Sequence, residues 1–199
     1  MAIAALALFI SFLVLVGVAR PLIQVRRTGD AGDRRKAARL NGTQRRIDGL
    51  AAAGALAVGV ASPLAAIFGL GPAVATPALS VAGLVLAILG TLATFITQLA
   101  MGDSWRVGVD PSERTALVTS GPFGVVRNPI LSAVMITFVG LALMVPTVFG
   151  LLGLVGVVIA SELLVRLVEE PHLRQVHGEE YARYAAAVGR FVPGIGRLT

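Results

Sequence analysis

A proline- and glycine-rich segment ahead of one apolar run carries residue types well suited to ligand binding. It reads Gly121-Pro122-Phe123-Gly124-Val125-Val126-Arg127-Asn128-Pro129. Proline and glycine indicate a structured turn, and Pro129 fits the first position of a helix with Asn128 as its N-cap. The start of that helix would offer free backbone N–H groups and a positive dipole end to an anionic or polar ligand. The alternative, that Arg127 is a topological anchor beside an ordinary helix start, stays open on spacing alone.

A second polar cluster closes the last apolar run. Glu162, Arg166 and Glu169 are four and three residues apart, so a helix places them on one face. An ionisable group within hydrocarbon is costly and usually faces a cavity or a partner. A self-neutralising Glu162–Arg166 pair accounts for those two residues but leaves Glu169 and Glu170 at the negative end of a helix dipole. The pattern therefore favours a functional role for these carboxylates.

Composition excludes several kinds of site. The 199 residues include no cysteine, so a disulfide, a zinc–thiolate site and a cysteine nucleophile are excluded. The two histidines are His172 and His177, and we predict no metal site. The glycines at 69–71 and 194–196 lack the strand-then-helix setting of a dinucleotide fingerprint. The net charge of +6 does not indicate nucleic-acid binding, because the basic residues lie between apolar runs.

The elements that must position these residues are transmembrane helices. Hydrophobic residues make up 56% of the chain and charged residues 14%, whereas soluble domains carry about a quarter charged residues. Five predicted spans, judged against the roughly 20 residues that cross a bilayer, cover residues 2–23, 47–70, 74–101, 130–145 and 147–165. The predicted fold is an all-α polytopic membrane protein with a kink at Pro63 and a tight hairpin at Pro146. Pro171 is expected to end the last span and to begin an amphipathic tail, which Gly178 interrupts.

The distribution of basic residues predicts the orientation. The loop 20–46 is strongly basic and is opposed only by Asp30 and Asp33, which predicts a cytoplasmic location for it. Its basic residues are Arg20, Arg26, Arg27, Arg34, Arg35, Lys36, Arg39, Arg45 and Arg46. Alternation then places the N-terminus outside, the turns at 69–71 and Pro146 outside, and the C-terminus inside. The chain is predicted to be integral to the inner membrane, with its polar site facing the cytoplasm.

The motifs of the C-terminal part, taken in order, resemble those of the isoprenylcysteine carboxyl methyltransferase family and the related phospholipid methyltransferases. The family pattern runs from Gly-Pro-aromatic through Arg-His-Pro and a membrane hairpin to Glu-Glu, two tyrosines and a final aromatic-x-Pro. The matching motifs here are Gly121-Pro122-Phe123, Arg127-Asn128-Pro129, Glu169-Glu170-Pro171-His172-Leu173, His177-Gly178-Glu179-Glu180-Tyr181, Tyr184 and Phe191-Val192-Pro193. The run 101–106 is also similar to bacterial members of the family.

This resemblance implies methyl transfer from S-adenosyl-L-methionine, with S-adenosyl-L-homocysteine as product, to a lipid-like, isoprenoid or prenylated acceptor that enters from the bilayer. A carboxylate acceptor is favoured. Residues 1–101 are expected to form three spans around the basic loop 20–46, and residues 102–199 to form the methyltransferase core. The residues implied to bind the cofactor are Leu117, Val118, Phe123, Arg127, Asn128, Pro129, Ile130, Leu131 and Glu169. Arg166 is implied to orient the acceptor, and Glu170 is the second implied catalytic residue, available as a base for an amine or hydroxyl acceptor.

The chain departs from the family pattern at three positions, where Asn128, Leu131 and Ala133 replace His, Tyr and Gly. Asparagine cannot act as an acid or base near neutral pH, which excludes a histidine-dependent mechanism at that position. Two other functions stay open: a nicotinamide-dependent membrane reductase of the sterol-reductase type, and a non-catalytic membrane protein. The second would be either a small exporter built around Glu162 or a scaffold.

Overall fold

The computed structural model describes residues 1–34, 42–70, 76–110 and 114–198. Within these residues the chain is all-helical, with long helices α1 (Ala2–Thr28), α2 (Gly42–Ile67), α3 (Pro77–Ala100), α4 (Pro129–Met144) and α5 (Val148–Ala187). Four of them are long and apolar enough to cross a membrane, and α4 is a shorter apolar helix. This confirms the predicted all-α membrane fold of about five spans. Parts of the prediction lie outside the described residues, namely Arg35, Lys36 and Arg39 of the basic loop, the end of the 69–71 turn, and the expected start of the third span at Val74.

The predicted helix break at Pro171, where the last span was expected to end, is not present. The helix α5 continues through that proline to Ala187, by way of a wide π-helical segment, Val165–Glu169. A proline in a regular α-helix clashes with the carbonyl four residues earlier. The extra residue in the π-helical segment relieves that clash, so the helix does not have to end. The predicted interruption at Gly178 is confirmed, because its φ of 50° and ψ of −123° are not helical.

A π-helical segment shortly before a proline occurs twice more in the described helices. The π-helical segments Leu15–Ala19 and Ala57–Ala61 each end two residues before a proline, Pro21 and Pro63 respectively. The predicted kink at Pro63 thus takes the form of a widened turn within a continuous helix. Each widening lets a proline lie inside a membrane helix whose remaining backbone groups stay hydrogen-bonded, as an apolar environment requires.

Small residues set the closest helix contacts. A Cβ atom on Gly140 of α4 would lie 2.3 Å from the backbone nitrogen of Ala87 on α3, and one on Gly83 would lie 2.6 Å from that of Met144. The pair Gly54 and Gly153 plays the same role between α2 and α5, where a Cβ on either would lie under 3 Å from the other's carbonyl oxygen. Such glycines let two backbones approach closely where hydrophobic burial gives no driving force.

The helix α1 packs on this arrangement through aromatic rings. Phe9 and Phe12 contact Phe138 of α4 edge-to-face, with ring centroids 6.2 and 5.7 Å apart. The ring of Phe9 also occupies the space that a side chain at Gly59 of α2 would need. The core of the bundle therefore lies between α1, α2, α3 and α4, with Val157 of α5 closing it.

A cluster of polar contacts joins α1 to the end of α3, at the end of the bundle where the basic residues lie. The buried guanidinium of Arg20 donates hydrogen bonds to the carbonyl oxygens of Gln98 (3.2 Å) and Gly102 (2.8 Å) and to the side chain of Gln24 (2.7 Å). It also lies 4.4 Å from the ring centre of Trp105, which is a cation–π contact. These contacts fix the first part of the loop that connects α3 to α4.

Candidate functional site

The carboxylate of Glu170 is the centre of the polar cluster at this end of the bundle. Its Oε1 accepts hydrogen bonds from Nη2 of Arg127 (2.7 Å) and Nε of Arg190 (2.8 Å), and its Oε2 accepts one from Nη2 of Arg190 (3.0 Å). All three side chains are buried. The hydrogen bond to Glu170 raises the pKa of Arg190 above its ordinary value, so the guanidinium stays charged. Two arginines thus share one carboxylate in a buried ion-paired triad.

The guanidinium of Arg127 also binds the end of α5 and residues 188–198, which we call the C-terminal turn. Its Nη1 donates to the carbonyl oxygens of Ala185 (2.9 Å) and Val188, and its Nη2 donates to that of Gly196 (3.1 Å). The remaining nitrogen, Nε, is buried and has no hydrogen-bond partner among the described residues. Arg127 is therefore a structural centre and also keeps one buried donor for a further acceptor.

Backbone pairing completes the attachment of the C-terminal turn to the start of α4. The amides of Arg127 and Asn128 donate to the carbonyl oxygens of Gly189 (2.8 Å) and Arg190 (3.0 Å). The hydroxyl of Ser132 donates to the carbonyl oxygen of Phe191 (2.8 Å). A side chain at Gly189 would place its Cβ 2.2 Å from the carbonyl oxygen of Val192, so the turn closes only around glycine.

Asn128 occupies the predicted N-cap position, but its side chain does not cap the helix. The side-chain amide instead donates to the carbonyl oxygen of Arg190 (3.2 Å). Pro129 is the first residue of α4 as expected, and it has no N–H group. The backbone N–H groups of Ile130 and Leu131 therefore have no capping acceptor from Asn128. This leaves two donors at the positive end of a helix, the feature that the sequence predicted there.

Two tyrosines tie the loop before α4 to the tail of α5. The hydroxyl of Tyr184 donates to the carbonyl oxygen of Phe123 (2.6 Å), and the ring of Tyr184 lies edge-on to that of Tyr181, with centroids 6.2 Å apart. Tyr181 is buried. Its ring therefore packs inside the protein.

Glu169 contrasts with its neighbour Glu170. It lies half-buried in the π-helical segment and makes no hydrogen bond or ion pair with the described residues. Its electrostatic neighbours include two further carboxylates, those of Glu170 and Asp48, which repel it. Glu170 is already paired with two arginines, so of these two adjacent carboxylates Glu169 is the one without an ion-pair partner among the described residues. A carboxylate in that setting suits a cationic ligand.

Arg166 pairs with Glu162 and not with the carboxylate of Glu170. Its Nε donates to Oε2 of Glu162 (2.6 Å), and these two side chains are 55% and 38% exposed. The self-neutralising pair considered from the sequence is therefore present. Exposed ion pairs of this kind contribute little to stability.

The remaining predicted cofactor residues belong to the loop before α4 or to the first turn of that helix. Phe123 and Pro129 are buried, and four others are half-buried: Leu117, Val118, Ile130 and Leu131. Phe123 belongs to the short 3-10 turn Gly121–Gly124, where Gly121 adopts a φ of 59° that favours glycine. Leu131 also lines an apolar cleft of about 270 Å³ between α1, α2, α4 and α5.

The sequence motifs did not identify two residues of this region, Arg190 and Asp48. Arg190 was noted only as part of a closing segment, because nothing in the spacing of residues 170 and 190 indicates an ion pair. Asp48 was not noted at all, since a lone aspartate near a span end looks like an ordinary polar boundary. The family-like motif order pointed to the right segments, but the pairing partners depend on the three-dimensional path of the tail.

Comparison with known proteins gives one match. The family model for phospholipid methyltransferase matches residues 79–180, which run from α3 through α4 to the middle of the α5 tail. No curated protein and no solved structure matches the chain. The matched segment contains Arg127 and Glu170, whereas Asp48 and the C-terminal turn with Arg190 lie outside it.

Replacing Glu170 by glutamine should destabilise the protein by about 3 kcal/mol or more, because it leaves two buried guanidinium groups without a counter-charge. The midpoint of chaotrope-induced unfolding of the purified protein in detergent micelles measures this. The control is Glu162→Gln, which breaks an exposed pair and should cost under about 1 kcal/mol. Equal shifts for the two variants would contradict the structural role of the triad.

Proposed function

Because the chain belongs to the phospholipid methyltransferase family, it is a membrane methyltransferase, and we propose that its methyl donor is S-adenosyl-L-methionine. We further propose that the acceptor is lipid-like and that transfer takes place at the cytoplasmic face of the inner membrane. The observation that carries the proposal is the unpaired carboxylate of Glu169, which lies in an acidic environment beside the start of the C-terminal tail.

The residues present fit this cofactor. The cofactor is positively charged at its sulfonium and ammonium groups, and Glu169 offers a carboxyl group that pairs with no other side chain among the described residues. The carboxylate of the cofactor needs hydrogen-bond donors. The free N–H groups of Ile130 and Leu131 and the buried Nε of Arg127 supply them. The predicted apolar contacts with the cofactor belong to the loop before α4 and to the start of that helix. They are Leu117, Val118 and Phe123 in the loop and Pro129 in the helix, and Asn128 lies directly before Pro129.

The cofactor supplies an electrophilic methyl group, so the protein needs to position the reactants more than to activate them. Asn128 serves this purpose by fixing the C-terminal turn beside α4. We propose that Glu170, predicted as a catalytic base, acts mainly by holding Arg127 and Arg190, since both of its oxygens already accept hydrogen bonds from guanidinium groups.

The predicted role of Arg166, which is to orient a carboxylate acceptor, requires that the acceptor replace Glu162 as the partner of the guanidinium. The exposed position of the pair supports such an exchange at low cost. In this proposal residues 102–199 form the methyltransferase core, and the spans within residues 1–101 contribute walls to the route by which the acceptor enters.

Binding of S-adenosyl-L-homocysteine, followed by isothermal titration calorimetry in detergent micelles, tests the cofactor assignment. We expect saturable binding by the unaltered protein and a loss of affinity of about tenfold or more for Glu169→Gln, which removes a charge-assisted contact. The matched control is Glu179→Gln, an exposed carboxylate on the tail, which should bind normally. Absence of binding by folded, unaltered protein would refute the assignment, and binding of reduced nicotinamide instead would favour the reductase.

The proposed orientation can be tested because the chain has no native cysteine. Phe68→Cys lies at the charge-poor end of α2 and Arg174→Cys lies on the tail, and both positions are exposed. In right-side-out vesicles a membrane-impermeant thiol reagent should label only Phe68→Cys, with Arg174→Cys labelled after permeabilisation. The reverse pattern would place the site outside the cytoplasm.

A further inference from the structure

The C-terminal turn contains a tight bend, residues 192–195, whose side chains face out of the protein; we call it the apolar bend. The amide of Ile195 donates to the carbonyl oxygen of Val192 (3.1 Å), and Gly194 between them adopts a φ of 75°. With Pro193 at its second position, the bend fits a type II β-turn, in which proline and glycine set the backbone in advance. Val192 and Ile195 are 50% and 66% exposed, and Pro193 is also exposed. The bend therefore presents apolar side chains on a well-defined backbone.

Hydrogen bonds place the apolar bend beside the first turn of α4. The amide of Asn128 donates to the carbonyl oxygen of Arg190 (3.0 Å). The hydroxyl of Ser132, one turn further along the helix, donates to the carbonyl oxygen of Phe191 (2.8 Å). The chain thus passes along the start of α4 immediately before the bend. Because α4 is an apolar helix of the membrane bundle, the bend lies at the level where this helix enters the bilayer.

The length of α4 indicates that its neighbouring segments share the apolar depth. The helix has 16 residues, and such a helix is about 24 Å long at the rise of an α-helix. The hydrocarbon core of a bilayer is about 30 Å thick. Either the bilayer thins around α4, or the residues that adjoin its ends contact hydrocarbon. The apolar bend adjoins one of these ends and offers a suitable surface.

The backbone of the C-terminal turn meets the condition that an apolar environment imposes. Irregular backbone is tolerated at membrane depth only where its polar groups have partners within the protein. Within the turn, the amide of Arg190 donates to the carbonyl oxygen of Ile195 (2.8 Å), and Pro193 has no N–H group that needs a partner. The carbonyl oxygens that accept hydrogen bonds from protein groups are those of residues 188–192, 195 and 196. This internal pairing suits contact with lipid.

The charge at the end of the chain is complementary to a phospholipid surface. Residues 181–199 contain three arginines and no acidic residue. Arg190 is paired with Glu170, whereas Arg183 and Arg197 are exposed. Exposed basic residues next to an apolar surface are typical of segments that bind the membrane interface, where phosphate groups attract them.

We propose that the apolar bend inserts into the bilayer beside the start of α4. Val192, Pro193 and Ile195 reach the boundary between head groups and acyl chains, and Arg197 lies among the phosphate groups. The insertion is shallow, about 5–10 Å, as is usual for interfacial segments. This surface lies outside the segment that the family model matches, and the proposal does not depend on methyl transfer. The bend belongs to the same turn as Arg190, so lipid contact supports the part of the chain that completes the triad.

A fluorescent probe on the bend tests the proposal, because the chain has no native cysteine. Ile195→Cys is labelled with a nitrobenzoxadiazole maleimide and placed in nanodiscs of phosphatidylcholine and phosphatidylglycerol. Lipids with a spin label on the acyl chain quench probes within the bilayer, and iodide quenches probes in water. We expect strong quenching by the spin-labelled lipid and weak quenching by iodide, as for the lipid-facing reference Val155→Cys, whose native side chain is 54% exposed. The matched control is Glu179→Cys, an exposed position on the tail, where iodide should quench several-fold more strongly than at Ile195→Cys.

Two further positions make the result specific. Val192→Cys should behave as Ile195→Cys, whereas Arg197→Cys should respond most to a spin label on the lipid head group. Labelled variants are compared only where their elution volume and unfolding midpoint match those of the unaltered protein. Iodide quenching at both bend positions equal to that at Glu179→Cys would place the bend in water and overturn the proposal. Shielding from both quenchers would show that protein, such as a second copy of the chain, covers the bend, and would overturn it as well.

Discussion

The buried carboxylate of Glu170 holds together three parts of the chain that are far apart in sequence. Through Arg127 it fixes the loop before α4, through Arg190 it fixes the C-terminal turn, and it lies itself just beyond the π-helical segment of α5. Burying three charged groups is costly unless each is paired and hydrogen-bonded. Here the pairing is nearly complete, with only Nε of Arg127 left over. The triad therefore holds the start of α4 next to the C-terminal turn, together with the backbone pairing of Arg127 and Asn128.

The balance of charge around the triad explains why the neighbouring carboxylates differ in role. Two arginines satisfy Glu170, so they are not available to Glu169, the residue directly before it in the helix. Burying a carboxyl group without a hydrogen bond or a counter-charge costs free energy. Glu169 is therefore the residue at which we propose that the cationic methyl donor binds.

Much of the fold could be predicted from the sequence, because a bilayer requires long apolar helices and leaves charge at their ends. The prediction failed at Pro171, since proline usually ends a helix and nothing local indicates that a π-helical turn will accommodate it. It also could not place the side chain of Asn128, whose acceptor is a carbonyl oxygen 62 residues away. The same limit hid Arg190, whose ion pair depends on the path of the tail, and Asp48, whose nearness to Glu169 depends on the packing of α2. The order of the motifs predicted which segments form the candidate site. Only the tertiary contacts show which residues of that site hold the fold together.

Hydrogen–deuterium exchange with and without S-adenosyl-L-homocysteine, on the protein in nanodiscs, tests most directly that the triad presents a cofactor site at the start of α4. The account predicts slower exchange on binding in the peptides that cover 117–131 and 165–170, together with the C-terminal turn, and unchanged exchange at the charge-poor ends of α2 and α3. Protection confined to other parts of the chain, or no protection at saturating ligand, would contradict it.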